Sequence, residues 1–317
     1  MLNTQKTQVL DCTIRDGGLV NNWNFNIDFV RDLYNYLNAS GVDYMEIGYK
    51  NSPKLVSTDG VGPWRFLDDQ FLKEVLPNKQ HTKLSAIVDI GRVDENDILP
   101  CAESHLDMIR IACYLKDVGK AIKLNNTFKA LGYETSVNIM AVSNAMEHDL
   151  SEALVKLNDS SVDITYIVDS YGSLYPRDIT YLADKFSRQC PNKKLGIHAH
   201  NNLQLAYANT LTAIEKGVQY LDCSVYGMGR AAGNCPTELI LGYLKEPQYE
   251  VKPVYEAIEK LMIPLRKEVE WGYIIPYTIT GQLNEHPRSA MALRHSENKD
   301  RYKDFYDQLT NVETALE

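Results

Sequence analysis

At 317 residues, with 44% hydrophobic and 24% charged residues, the chain has the balance of a globular protein and is long enough for one large α/β barrel or two smaller domains. A formal net charge of -9 speaks against nonspecific binding to nucleic acid or an anionic membrane, and no apolar run approaches the length of a membrane span. The six cysteines, Cys12, Cys101, Cys113, Cys190, Cys223 and Cys235, form no C-x-x-C pair, which argues against a disulfide framework or a structural zinc site and for reduced, mostly buried thiols.

The N-terminal residues MLNTQKTQVLDCTIRDGG show neither an apolar signal core nor a small-residue cleavage site, so a cytoplasmic protein is expected. Eight short apolar runs then read as strands. They are QVLDCTI at Val9, YMEIGY at Met45, LSAIVDI at Ala86, MIRIACYL at Ile109, TSVNIMAV at Val137, ITYIVDS at Ile167, LGIHAH at Ile197 and YLDCSVYG at Cys223. Amphipathic stretches at 27–38, 119–131, 151–157, 176–189 and 203–216 alternate with them, and Pro236 opens a further helix at 236–244. The pattern is mixed at 64–76 and 94–104. Strands alternating with helices call for a parallel sheet with right-handed crossovers, and eight such units predict an α/β fold of the (β/α)8 TIM-barrel type over residues 1–246.

Residues 247–317 are expected to form a short C-terminal helical extension. It reads as one amphipathic helix at 255–271, a loop through Pro276, Gly281 and Pro287, and a polar helix at 296–309. The apolar aromatic run of Trp271, Tyr273, Ile274, Ile275 and Tyr277 needs a cover, which a lid or oligomer contacts would supply.

Within LGIHAHNN two imidazoles stand at positions i and i+2. Side chains alternate along a strand, so His198 and His200 share a face and make half of a metal site; taken alone, the pair reads equally well as core histidines bonded to backbone. Active-site groups of such a barrel come from C-terminal strand ends and the loops that follow. At that rim the first strand, ending in TIRDGG, presents Arg15 and Asp16, one strand removed from the histidines across the closure. A carboxylate with two imidazoles suits a divalent cation such as Mn, Co, Fe, Zn or Mg. The pair Gly17 and Gly18 reads as a sharp turn that brings backbone amides near a ligand oxygen, and GMGRAAGN at 227–234 as a loop that holds an anion or a ligating amide.

Four motifs occur in order: D-x-T-I-R-D-G from Asp11, E-I-G at 46–48, H-x-H-N-N at 198–202 and G-x-G-x-x-x-G-N at 227–234. Together they resemble the DRE-TIM metallolyase superfamily, of the HMG-CoA lyase type, over about 9–244 of the chain. IVDSYG at 167–172 and HAHNNLQLAYANTLTAIEKG are most similar to the 4-hydroxy-2-oxovalerate aldolases. The resemblance implies an enzyme, a divalent-metal-dependent aldolase or lyase. It would cleave, or form in reverse, a C–C bond of a small 2-oxo acid through a metal-bound enolate. It implies that Asp16, His198 and His200 bind the metal, manganese first, with magnesium, cobalt or zinc as alternatives. Asn234 would be a further ligand or an amide that orients one.

Arg15 would stabilise the enolate or a ketone oxyanion. Thr13, Gly17, Glu46 and Ser170 are the candidate substrate contacts; Glu46 reads also as a barrel-lining partner of Arg15, and Thr13 and Ser170 as hydroxyls capping backbone. A homo-oligomer is implied as well. Some oxovalerate aldolases pair with a dehydrogenase, and nothing in this sequence identifies such a partner.

One departure stands out. The histidine that follows R-D-G in the oxovalerate aldolases, and acts there as general base, falls here at Leu19. Tyr49, Tyr171, Tyr226 and, if the tail folds over the mouth, His286 are the remaining proton-transfer candidates. Two alternatives stay open: a Claisen-type synthase joining an acyl-CoA to a 2-oxo acid, and a non-catalytic barrel serving as a partner subunit.

Overall fold

A computed structural model describes residues 6–311. Strands β1 (Gln8–Asp11), β2 (Tyr44–Tyr49), β3 (Lys83–Asp89), β4 (Met108–Tyr114), β5 (Glu134–Met140), β6 (Ile164–Asp169), β7 (Lys194–Ala199) and β8 (Tyr220–Cys223) close in sequence order into one parallel barrel. Closure is made by β1 against β8, with Gln8 opposite Tyr220 and Asp11 opposite Cys223. The expected (β/α)8 architecture is therefore present. Its strands read as near-continuous apolar runs because parallel strands are covered on both faces, and every residue of β2 and β6 is buried.

The outer helices are α2 (Ile27–Ala39), α3 (Asp69–Val75), α4 (Val118–Ala130), α5 (Glu147–Asn158), α6 (Pro176–Gln189), α7 (Ala206–Glu215) and α8 (Thr237–Tyr243). Helix α2 shows why they form: Asn26 caps it by accepting from Phe29 N at 2.7 Å, and Val30, Leu33, Tyr34 and Leu37 recur at helical spacing on its buried side. Between β3 and β4 the mixed stretch yields a single short 3-10 turn, Glu95–Asp97, in place of a crossover helix. Leu99 and Cys101 tie that strap to the end of α4, accepting from Tyr133 Oη at 2.8 Å and donating to Leu131 O at 2.8 Å, respectively.

A further helix, α1 (Thr13–Asn21), follows β1 directly. This corrects the sequence reading, which ran the first strand through Ile14 and put a glycine turn after it. Asp11 Oδ1 accepts from Thr13 N at 3.0 Å, a local bond that turns the chain out of the strand. Gly17 and Gly18 lie inside α1, and their small size serves packing: a Cβ on Gly17 would come within 2.9 Å of Met228 Sδ, and one on Gly18 within 2.1 Å of the Trp23 ring.

The C-terminal extension holds α9 (Lys252–Ala257), α10 (Ile263–Arg266), α11 (Ile275–Gln282), α12 (Arg288–Arg294) and α13 (Tyr302–Asn311). The single helix expected at 255–271 ends five residues early, and a π-turn over Ile258–Met262 joins α9 to α10. Pro264 explains the turn, since it has no N–H and crowds the carbonyl four residues back; Ile263 N bonds Ile258 O across the wider loop. The expected loop at Pro276 is instead the first turn of α11, where proline is well tolerated. The expected helix at 296–309 starts only at Tyr302.

Helix α9 packs on α2 at the outside of the barrel, while α11, α12 and α13 lie across its C-terminal mouth. Tyr277, Ile279, Ala290 and Phe305 cluster with Ala231 and Ala232, and Ser173 Oγ bonds Asn284 Oδ1 at 2.7 Å. The chain itself thus covers Trp271 and Tyr277, while Tyr273 stays 56% exposed. No helix of the described residues is long and apolar enough to cross a membrane.

Candidate metal centre

Helical geometry decides how the first motif works. On a strand, consecutive side chains would point to opposite faces; on α1 they are about 100° apart, so Arg15 and Asp16 both face the barrel mouth. Arg15 Nη1 meets Asp16 Oδ1 at 2.5 Å, and Arg15 Nε meets Glu46 Oε2 at 2.5 Å. Strand alternation holds for the histidines, whose rings stand 5.0 Å apart, edge to face. Ligand atoms of Asp16, His198 and His200 all lie within 4.8 Å of one another, and all three residues are buried.

The hydrogen bonds leave ligand atoms unspent. His198 Nδ1 bonds Asp222 Oδ2 at 2.9 Å, which fixes the ring and puts its proton on that nitrogen; His198 Nε2 is buried and has no partner. His200 Nδ1 bonds Gly233 O at 3.3 Å, turning Nε2 toward the cavity, where Arg230 Nη2 donates to it at 3.4 Å. Asp16 Oδ2 accepts from Asn234 Nδ2 at 2.9 Å and from Arg230 N at 3.0 Å, and Asn234 Oδ1 is left buried and unpartnered. A carboxylate, two lone-pair nitrogens and an idle amide oxygen fit a divalent cation.

Beneath this cluster a charged network runs through the barrel. Arg110 Nη2 meets Asp222 Oδ2 at 2.6 Å, and Arg110 Nη1 lies 3.1 Å from Glu46 Oε1 without hydrogen-bond alignment. Burial opposes ionisation of Asp16 most strongly, but Arg15, His200, His198 and Arg230 together outweigh it and hold the carboxyl well below the usual range; Arg110 and His198 together lower Asp222 in the same way. Burial pushes His200 well below the ordinary imidazole value, so it is neutral and fit to ligate.

A cavity of about 80 Å³ opens at the mouth, lined among others by Arg15, Asp16, His198, His200, Ser170 and Arg230. Of the candidate substrate contacts, only Ser170 lines it, with its hydroxyl accepting from Ala141 N at 2.8 Å. Thr13 is fully buried and caps Val225 N at 2.8 Å, Gly17 packs on Met228, and Glu46 is the partner of Arg15 and Arg110 below the floor. Tyr49, Tyr171 and His286 reach the cavity, the last because the tail does fold over the mouth. Tyr226 is not in the lining and packs instead edge to face on Trp271, 6.1 Å away, with the Arg266 guanidinium 5.0 Å from its ring.

Asp222, Arg110 and Arg230 went unremarked in the sequence. The first two carried a signal, a charge in the middle of an apolar strand. Gly229 carries another constraint, since a Cβ there would meet Asn234 Nδ2 at 2.3 Å and Asp16 Oδ2 at 2.6 Å.

The family model for HMGL-like proteins matches residues 6–261. The chain belongs to the HMGL-like family, and with it to the DRE-TIM lyases that its four motifs resemble. It is 30% identical over 240 residues to an oxaloacetate decarboxylase of Mycobacterium tuberculosis, covering 75% of this chain and 69% of that one. It is 29% identical over 275 residues to a 4-hydroxy-2-oxovalerate aldolase of Carboxydothermus hydrogenoformans, covering 82% and 78%. Among solved structures, the N-terminal domain of a proposed aldolase from Bacteroides vulgatus superposes with a TM-score of 0.76 at 29% identity, covering 92% of this chain and 98% of that domain.

Proposed function

We propose that this lyase breaks the C3–C4 bond of a small 2-oxo acid by divalent-metal-dependent retro-aldol cleavage, or forms it in reverse. The observation that carries the reading is the convergence of Asp16, His198 and His200 beside Arg15 in one cavity, with His198 Nε2 and the neighbouring Asn234 Oδ1 buried and without a hydrogen bond among the described residues. These three residues would hold the cation, with Asn234 Oδ1 adjacent. Manganese is our first choice for a mixed carboxylate and imidazole set, with magnesium, cobalt or zinc as alternatives. When bound, such a cation supplies Lewis acidity that offsets negative charge on a carbonyl oxygen.

Arg15 adds a guanidinium that Glu46 and Asp16 already hold in place, so it stabilises a developing enolate oxygen with little reorganisation. In the cleavage direction the 4-hydroxyl loses its proton, the C3–C4 electron pair passes into the enolate, and C3 is protonated in turn. Tyr49, Tyr171 and His286 are the protonatable groups at the rim that remain from the sequence candidates. Burial raises the Tyr49 hydroxyl far above neutrality, which makes it a proton donor; burial lowers His286 to about 4, so it is neutral.

Both compounds in the relatives' names, oxaloacetate and 4-hydroxy-2-oxovalerate, are 2-oxo acids. A second reading, decarboxylation of a 2-oxo acid carrying a carboxyl at C4, draws support from Leu19, the apolar side chain where the aldolases place their base. Losing carbon dioxide requires no proton from a hydroxyl. The unspent ligand atoms argue against a non-catalytic barrel, because burying unpaired polar atoms is costly without a function. A cytoplasmic setting and a homo-oligomer belong to the same proposal; five of the six free cysteines are buried, which fits a reducing compartment. Pyruvate release from a panel of 4-hydroxy-2-oxo acids, and carbon dioxide release from oxaloacetate, each with and without chelator, tests both readings. Release that chelator abolishes is expected from one or the other, and none from either would overturn the assignment.

A further inference from the structure

Arg230, in the loop after β8, is the one arginine of the cavity lining that no carboxylate holds among the described residues. Arg15 there has carboxylates at 2.5 Å, and Arg110 below has one at 2.6 Å. The Arg230 guanidinium is kept in place through Nη2, which donates to Ser170 O at 2.6 Å and, at 3.4 Å, to His200 Nε2, a contact that a cation on His200 would replace. Its Nε is buried without a hydrogen-bond partner among the described residues. Its Nη1 lies 3.5 Å from His286 Nε2.

That last approach is a contact between two donors. His286 Nδ1 accepts from Arg288 N at 3.1 Å, so the neutral ring carries its proton on Nε2, facing Arg230. Two N–H groups turned to one another, with a third buried beside them, are reconciled by an acceptor placed between them. Net charge points the same way. Asp89 in the lining is matched by Arg92 at 3.2 Å, and Arg15 and Arg110 stand against Asp16, Glu46 and Asp222, leaving one negative charge that a divalent cation more than offsets. The single carboxylate of a simple 2-oxo acid balances what remains of the cation, and Arg230 is still unmatched.

We propose that Arg230, with His286 Nε2 beside it, receives a second carboxylate, and that the substrate is a dicarboxylic 2-oxo acid. The inference rests on the 2-oxo acid reading above and narrows its substrate class. Arg230 then acts as a specificity determinant, and the tail contributes to it through His286.

The test compares 4-hydroxy-2-oxoglutarate with 4-hydroxy-2-oxopentanoate, which differ only in a terminal carboxylate or methyl, on the full chain with Mn2+. The diacid is expected to have the higher kcat/KM by about 10- to 100-fold, the worth of a charge-assisted hydrogen bond. Arg230→Gln lowers that ratio to near one, and Arg230→Lys restores part of it; a partly misfolded preparation cancels in the ratio. Calorimetric binding of 2-oxoglutarate against 2-oxopentanoate gives a readout without turnover, with the same preference expected and the same loss in Arg230→Gln. A ratio near one in the unmodified chain, or one that Arg230→Gln leaves unchanged, overturns the proposal while the lyase reading stands. If neither hydroxy acid is cleaved, the retro-aldol reading falls, and the calorimetric pair still decides: a preference removed by Arg230→Gln sustains the anchor, and no preference overturns it.

Discussion

At the N-terminal end of the barrel, Glu134 accepts from the hydroxyls of Tyr44 at 2.6 Å and Tyr220 at 3.0 Å, and Lys194 and Lys83 reach those same hydroxyls at 3.1 and 3.5 Å. Each of these groups has a partner in the protein. At the C-terminal mouth, carboxylates, cations and imidazoles are packed as closely, yet His198 Nε2, Asn234 Oδ1 and Arg230 Nε are buried with none. An unpaired buried polar atom costs about 1–3 kcal/mol. One end of the barrel is therefore a finished network and the other waits for a ligand. What separates these two clusters is that the one at the N-terminal end has every charged group and hydroxyl partnered, whereas the one at the mouth leaves atoms able to hold a cation or an anion without partners among the described residues.

Removing the mouth's ligand atoms should break that contrast hardest. His198→Ala combined with His200→Ala is expected to weaken Mn2+ binding by more than about 1,000-fold in a calorimetric titration; unchanged affinity would place the cation elsewhere. Arg15→Met, assayed at saturating cation, should lower kcat by about 100- to 1,000-fold if the guanidinium that Asp16 and Glu46 hold stabilises the enolate as proposed. Asp222→Asn keeps the shape but removes the anion that orients His198, and about 10- to 100-fold of cation affinity should go with it.

Smaller effects sharpen the comparison from the satisfied side. Glu238 accepts from Tyr226 N at 3.1 Å near the mouth, and burial raises its carboxyl to about 7. Because the folded value lies above the unfolded one, its contribution to stability is complete below the unfolded carboxyl range and is lost as pH rises through 7. Glu238→Gln should thus be more stable than the parent by about 2 kcal/mol at pH 8 in denaturant titrations, with the gap closing toward pH 4. At the opposite end, Glu134→Gln should cost about 1 kcal/mol and leave Mn2+ affinity as it was. A change in cation binding there would show that the two ends are coupled.

The barrel was legible because its strands are buried on both faces and appear as eight separate apolar runs, and because His198 and His200 keep the period of a strand. Helix α1 was not legible. Two glycines and a short, mixed IRDGGLVNN segment hide its period, and the glycines admit Met228 from a distant part of the chain and the ring of Trp23, which folds back from just past the helix. The third crossover failed for a related reason: the 94–104 stretch folds as a strap on α4, held by a bond from Tyr133 Oη and one to Leu131 O that local pattern does not announce. Of the proposed site, the convergence of Asp16, His198 and His200 beside Arg15 was readable from motif and rim position. Arg230 was not, since its role depends on the tail carrying His286 back across the mouth, and Thr13 and Glu46 turned inward to bonds that only the closed barrel reveals.

The central claim is that cleavage of a 2-oxo acid depends on a cation held by Asp16, His198 and His200. It is tested most directly by stripping the full chain of metal, adding back Mn2+ in steps, and following product release from the 2-oxo acid panel. The account predicts activity that rises with one equivalent of Mn2+ per chain and is absent from the doubly substituted His198→Ala, His200→Ala chain. Activity that survives chelation, or that Mn2+ restores equally to the substituted chain, would contradict it.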